Sequence, residues 1–369
     1  MKPSVVNADT ALLRRLNTRS VLGVLRAAET ITLTEVARGT GLSRQTARAA
    51  LEDLIGRGLC ESLAPLEGSS GRPARRFAFR RRAGHAVGVS IAPRHVLVIV
   101  TDLAGTVIAR QRREVEQTLS ADERLAVAEE LARSCGSAAG PIWAAAAGTS
   151  GVVDRSGRVR TASLLPGWVG LNLAGTVGGW FDCPGFAGND AALAATAERW
   201  LGNARHVDDM VFILTGHRTG YGVLINGRPH LGRSGAAGEL GKLPHARDHE
   251  PSYALDREQL GIDEVVRAAE SGDEHAGWLM SELGERLARA AATLVAVVDP
   301  ELVVVGGTLA EGGETLLEPM RRQLSLMTRG APEVTTSRLG EDAVALGAVR
   351  AALDHVEESP RLMGVGELA

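Results

Sequence analysis

TLTEVARGTGLSRQTARAALEDLIGRGL, residues 32–59, holds two short apolar-periodic runs separated by a glycine. Thr34 is placed to cap a first helix carrying Val36 and Ala37, and Gly41 supplies the tight turn. Ser43 caps a second helix whose inward positions are Ala47, Ala50, Leu51 and Leu54. This is a helix-turn-helix pattern. The second helix turns Ser43, Arg44, Gln45, Thr46 and Arg48 outward from its first turns, where a recognition helix meets base edges.

Upstream, Leu12, Leu13, Leu16, Val21, Leu22, Val24 and Leu25 recur near helical spacing, which predicts a helix beginning after Asp9. Downstream, CESLAPLEGSSGRPARRFAFR (60–80) reads as two short strands around a Gly/Ser turn, a β-wing. Its tip, Gly71-Arg72-Pro73, suits a minor groove, because proline holds the backbone extended while arginine reaches the negative potential there. Arg75, Arg76 and Arg80 to Arg82 are placed to meet phosphates.

Charge separates this head from the rest of the chain. Residues 1–84 hold 15 Lys+Arg against 7 Asp+Glu, a net of +8, whereas the remainder holds 26 basic and 37 acidic residues inside a total of -3. A basic head suits a polyanion, since neutralised phosphates release counterions; an acidic body would not wrap DNA. An ordinary helical hairpin with a solvated arginine face would account for the motif or the charge alone. Motif, wing and charge together point to double-stranded DNA.

From Gly84, GHAVGVSIAPRHVLVIVTDLAGTVIARQRREV contains three strand-like runs. A helical stretch near 121–134, a strand near 142–147 and the loop GTSGVVD (148–154) come next. Alternating strands and helices predict an α/β body. The ordered set GTSGVVD, PGWVGLNL (166–173), AGNDAALAATAERWLG (187–202), TGHRTGYGVLINGRPHLGRSGAAGELG (215–241), DPELVVVGGTLA (299–310) and LGAVRAAL (346–353) resembles the ROK family of repressors, open reading frames and sugar kinases. The resemblance spans residues 1–355. It implies a winged helix-turn-helix at 1–83 and, at 84–369, an actin-like, sugar-kinase-like body of two lobes serving sensing and dimerisation.

Residue by residue, the resemblance is selective. Family kinases carry an Asp-x-Gly-Gly-Thr loop whose amides hold ATP phosphates; here Ser90-Ile91-Ala92-Pro93-Arg94 stands there, and Pro93 offers no backbone donor. Asn189-Asp190 matches the family pair whose Asp accepts the sugar hydroxyl proton, although Asp190 also suits an N-cap of a helix 191–200. Glu239 matches the sugar-binding Glu of Gly-Glu-x-Gly-His, but Lys242 replaces the zinc-ligating His, and the family's downstream cysteine segment is absent. His245 and His249 lack a third ligand, so no metal is expected. Leu164 occupies the place of a family Asn that touches sugar.

These readings predict a DNA-binding regulator without catalytic residues or cofactor, most simply a repressor. It binds an inverted-repeat operator as a homodimer or dimer of dimers and takes a sugar-like effector at Asn189, Asp190 and Glu239. A sugar kinase with an accessory DNA-binding head and a regulator with no ligand are the alternatives. Cys60, Cys135 and Cys183 form no C-x-x-C pair and are expected to be inert. The longest apolar runs, such as Val96 to Val100, are far below the ~20 residues that span a bilayer, and the N-terminus lacks the apolar core of a secretory signal. A cytoplasmic place, away from any membrane, is expected.

Overall fold

The computed structural model describes residues 5–64, 75–216, 218–242 and 261–359. The head begins with helix α1 (Val5–Ala27), so Asp9 lies inside that helix rather than capping it. Helix α2 (Leu33–Thr40) is capped by Thr32, not Thr34. Glu35 amide N lies 3.3 Å from Thr32 Oγ1 and Glu35 Oε2 accepts the Thr32 amide at 2.8 Å. Thr34 cannot take that role, because only Thr32 has a glutamate three residues on to close the reciprocal pair. Gly41 ends α2 in the left-handed region at φ 70°, and Ser43 Oγ accepts the Thr46 amide at 3.1 Å to start α3 (Arg44–Gly56). Ala47, Ala50, Leu51 and Leu54 are buried as their spacing requires. The strands β1 (Ile31–Thr32), β2 (Cys60–Leu63) and β3 (Arg76–Phe79) form one small antiparallel sheet, with β3 central. The wing is thus present; its tip, including Arg72, lies outside the described residues.

The body contains two five-stranded sheets of similar plan. In the first, β4 (His85–Ile91), β5 (His95–Asp102) and β6 (Val107–Glu114) form an antiparallel meander. On its other side β4 continues in parallel to β7 (Ile142–Thr149) and β10 (Gly185–Asn189). A small ribbon of β8 (Val152–Val153) and β9 (Val159–Thr161) intervenes in the chain, as do α4 (Ala121–Ser137) and α5 (Leu173–Gly179). In the second sheet β11 (Met210–Thr215), β12 (Gly220–Ile225) and β13 (Arg228–Pro229) form the meander, and β14 (Leu302–Gly307) and β15 (Glu333–Thr336) run parallel to β11. Helices α7 (Ile262–Glu270), α8 (Glu274–Val298) and α9 (Gly313–Met327) pack with this second lobe.

Between the sheets lie α6 (Asp190–Leu201) and α10 (Ala343–Glu358). Their approach depends on absent side chains. A Cβ on Gly88 of β4 would come 2.1 Å from the Ala345 carbonyl oxygen, and one on Gly347 would come 1.8 Å from that of Leu193. One connected cluster of buried side chains runs from Val21, Leu25 and Phe79 of the head through Leu103 to Leu353 and Val356 of α10. Among the described residues no helix is long and apolar enough to cross a membrane.

Candidate functional site

The expected DNA-reading residues divide into two groups. Arg44, Gln45 and Arg48 are exposed on the first two turns of α3. Ser43 and Thr46 serve the cap: Ser43 Oγ holds the Thr46 amide and lies 2.9 Å from Thr46 Oγ1. The wing arginines divide likewise. Arg75 is exposed, donates to Ser62 Oγ, and lies over the Phe77 ring at 6.0 Å. Arg76 is half-buried and donates to Thr30 Oγ1, because it pairs with Thr32 of β1 and so lies beside the residues that lead into that strand. Arg80, Arg81 and Arg82 are exposed where the chain leaves the wing.

The second group of expected residues gathers at the carboxyl ends of parallel strands, the edge where open α/β sheets hold ligands. β10 ends at Asn189, beside Thr149 of β7. Asn189, not Asp190, is the N-cap of α6: its Oδ1 accepts the Ala192 amide at 3.0 Å. Its Nδ2 donates to Gly151 O at 3.1 Å and so ties down the loop after β7. Asp190 is thereby released from capping and occupies the first helical position, with Oδ1 accepting the Ala191 amide at 2.8 Å.

Desolvation pushes the Asp190 carboxyl up to about 7, and the negative charge of Glu239 adds to the rise, against hydrogen bonds that favour the anion. Glu239 reaches this neighbourhood through a loop of close backbone contacts. A Cβ on Gly238, which has φ 86°, would lie 2.2 Å from the Tyr221 carbonyl oxygen; a Cβ on Gly235 would lie 2.0 Å from that of Val153. Asn189, Asp190 and Glu239 are all half-buried, and Leu164 is half-buried too. Two buried donors that sequence reasoning did not single out, Ser150 Oγ and Trp168 Nε1, have no hydrogen-bond partner among the described residues. They sit in GTSGVVD and PGWVGLNL, yet nothing in a sequence marks a donor as unpaired.

The loop from Ser90 to Arg94 is a tight hairpin end. The Ala92 amide is spent on His95 O at 3.0 Å. Its carbonyl instead faces Arg124, a fully buried guanidinium on α4 that donates to Ala92 O at 2.7 Å, Glu116 O at 2.9 Å and Gln117 O at 3.2 Å. An anion would meet a proline and committed backbone groups here, not a nest of free amides.

Among the described residues no group of three His, Cys, Asp or Glu is placed to hold a metal. His245 and His249 lie outside the described residues, and so does the side chain of Lys242. Cys60 and Cys135 are buried, and Cys183 is half-buried. Burial pushes the Cys60 thiol up to about 11 and raises that of Cys135, which suppresses thiolate chemistry.

The profile of the ROK family matches residues 86–355. The chain is 21% identical to the xylose repressor of Bacillus subtilis over 94% of its own length and 97% of that protein. Among solved structures, a ROK family transcriptional regulator described as a homolog of the E. coli MLC protein superposes with a TM-score of 0.76 at 19% identity, covering 96% of this chain and 100% of that one. A ROK family glucokinase from Streptomyces griseus, solved with glucose and AMPPNP, superposes with a TM-score of 0.63 at 22% identity, covering 73% of this chain and 100% of that one.

Proposed function

The chain belongs to the ROK family, and we propose that it is a DNA-binding transcriptional regulator, a repressor, that reads an operator through α3 and answers to a small polyhydroxylated ligand. Residues 1–83 form the DNA-binding head and residues 84–369 the sensing and dimerising body. The observation that carries this reading is the helix-turn-helix with the paired wing strands β2 and β3, with Arg44, Gln45 and Arg48 exposed on the reading helix and a net charge of +8 across residues 1–84. Full-length similarity to a protein named xylose repressor supports it. Arg44 is placed for a bidentate contact to guanine, and Arg75 and Arg80 to Arg82 for phosphates. As a homodimer in the cytoplasm, the protein would set two such helices on half-sites ~34 Å apart.

Selection of duplex DNA from a random library by the purified protein, followed by mobility shift of the enriched sequence, tests the reading. Enrichment of an inverted repeat is expected; recovery of unenriched DNA at moderate salt would overturn it.

In this reading a sugar-like effector would bind at Asn189, Asp190 and Glu239 and exchange hydroxyl hydrogen bonds with the two carboxyl groups. An effector changes DNA affinity only by binding one arrangement of the protein more tightly than another.

The second reading, an ATP-dependent sugar kinase with an accessory head, is favoured by one observation: Asp190 holds its proton near neutrality, which suits a general base. Against it stands the committed backbone of the hairpin end, because phosphoryl transfer depends chiefly on positioning and on neutralising the transferring group. A base supplies only ~100- to 10,000-fold. Coupled-enzyme assays with ATP and glucose, mannose or N-acetylated sugars should show no turnover. Turnover abolished by Asp190→Asn would install the kinase reading.

A further inference from the structure

Sequence patterns describe the head and body separately, but side chains distant in sequence bind them at one point. Arg26, at the end of α1, donates through Nη2 to the carbonyl of Leu103 in the β5–β6 turn at 2.7 Å. Its Nη1 lies 2.6 Å from Glu357 Oε1 on α10. The same Glu357 oxygen receives Arg350 Nη2 at 2.6 Å, and Arg350 also holds Asp354 at 2.6 Å. One carboxylate is therefore shared by a head arginine and a body arginine. Both pairs are largely screened from water: the Arg26, Arg350 and Glu357 side chains keep only 20%, 15% and 30% of their surfaces exposed. Ion pairs so withdrawn resist being opened, since separation leaves charges poorly solvated.

The same helix packs on α6 and β10, the two elements that meet at Asn189-Asp190. The Arg350 guanidinium lies 5.4 Å from the ring centre of Trp200 at the far end of α6. The His355 ring lies 4.7 Å from that of Phe186, three residues before Asn189 on β10. At Gly347 the backbones of α10 and α6 meet with no room for a methyl group. Close-packed contacts of this kind transmit displacement rather than absorb it. A shift of β10 and α6 at their Asn189-Asp190 end must therefore be taken up by α10, and through Glu357 by α1.

We propose that the Arg26–Glu357–Arg350 cluster is the joint through which the state of the Asp190 cleft reaches the DNA-reading head, with Arg26 and Glu357 as its positioning residues. The proposal rests on the ligand-responsive regulator reading and names how that site regulates the head. Because Val21 and Leu25 of α1 share one buried cluster with Leu353 and Val356 of α10, the charged joint fixes the register of an apolar contact already present. α1 in turn packs along α3.

Hydrogen exchange of the full-length chain, read by mass spectrometry, tests the joint without a known ligand or operator. Arg26→Gln and Glu357→Gln should each speed exchange of the last α1 turns, residues 21–27, about tenfold. The double variant should be no worse than the worse single. Asp190→Asn is the probe at the cleft: it should change head exchange at least threefold in the parent and have no effect in the Arg26→Gln background. Head exchange untouched by both single variants would overturn the proposal, as would additive effects in the double variant. So would an Asp190→Asn effect that is absent from the parent or equal in both backgrounds. If Arg26→Gln alone unfolds the head, Glu357→Gln supplies the second background. Failure of the DNA-selection experiment would remove the regulator reading and leave the exchange cycle intact, so the two failures are distinguishable.

Discussion

Replacing Asp190 by asparagine should stabilise the folded protein at pH 8, contrary to what removal of a hydrogen-bonded group in a packed site ordinarily does. Burial and Glu239 hold the carboxyl's proton to about 7 instead of the ordinary 3.8. Below pH 3.8 the group is protonated in folded and unfolded chains alike and costs nothing. Between 3.8 and about 7 the unfolded chain gives up its proton first, so stability falls as pH rises; above about 7 the cost is complete. A shift of this size corresponds to a ceiling of roughly 4 kcal/mol. Asp190 keeps some contact with water, so about half that ceiling is the better expectation. Asparagine keeps an oxygen for the Ala191 amide and carries no charge. Urea titrations read by tryptophan fluorescence at pH 5 and pH 8 should show the difference between variant and parent widening in the variant's favour by about 1–2 kcal/mol at the higher pH. An equal difference at both pH values, or a variant less stable than the parent at pH 8, would refute the account of a strained carboxylate.

Other perturbations separate reading from scaffolding. Arg44→Ala and Arg48→Ala should each weaken binding to the selected operator in mobility-shift titrations at fixed salt; Arg44→Ala should also relax base preference, by ~1–3 kcal/mol. Parent-like binding by both would misplace the reading face. Thr32→Ala removes the hydroxyl half of the cap of α2 and keeps the Thr32 amide on Glu35; it should cost about 1 kcal/mol of head stability by urea titration, whereas Thr34→Ala should be near neutral. Gly347→Ala drives a methyl group into the Leu193 carbonyl. It should lower the thermal midpoint of the body through an overpacking cost of ~1–3 kcal/mol, and an unchanged midpoint would mean that α6 and α10 can part freely.

What could be read directly from sequence was mostly local. The Gly41 turn, the Ser43 cap and the inward Ala47, Ala50, Leu51 and Leu54 obey rules that act within a few residues, and the structure places all of them as expected. The errors were local too. Thr32 displaced Thr34 because a reciprocal pair with Glu35 satisfies two amides where a lone hydroxyl satisfies one. Asn189 displaced Asp190 as cap in the same way, by taking the Ala192 amide. Arg76 fell among the expected phosphate contacts because an arginine in a basic run looks like its neighbours, and only its strand partners reveal that it faces Thr30.

Long-range relations were not legible. Nothing near Arg26 announces Glu357, and nothing near Ala92 announces Arg124, because each bond joins segments that meet only after the sheets have formed. The contrast bears on function. The Asn189-Asp190 pair was legible as a family likeness, and it would look the same in a kinase and in a sensor. What would distinguish the two is the electrostatic surrounding of that pair and the backbone of the β4–β5 hairpin, one strand removed from β10 in the same sheet. Asp190 is a desolvated carboxyl whose proton is held up to about 7, at the end of β10 in the same sheet as a hairpin whose Ala92 carbonyl is fastened to a buried arginine. On the proposed regulator reading, a change of charge at Asp190 would be passed toward the head by the packed helix α10.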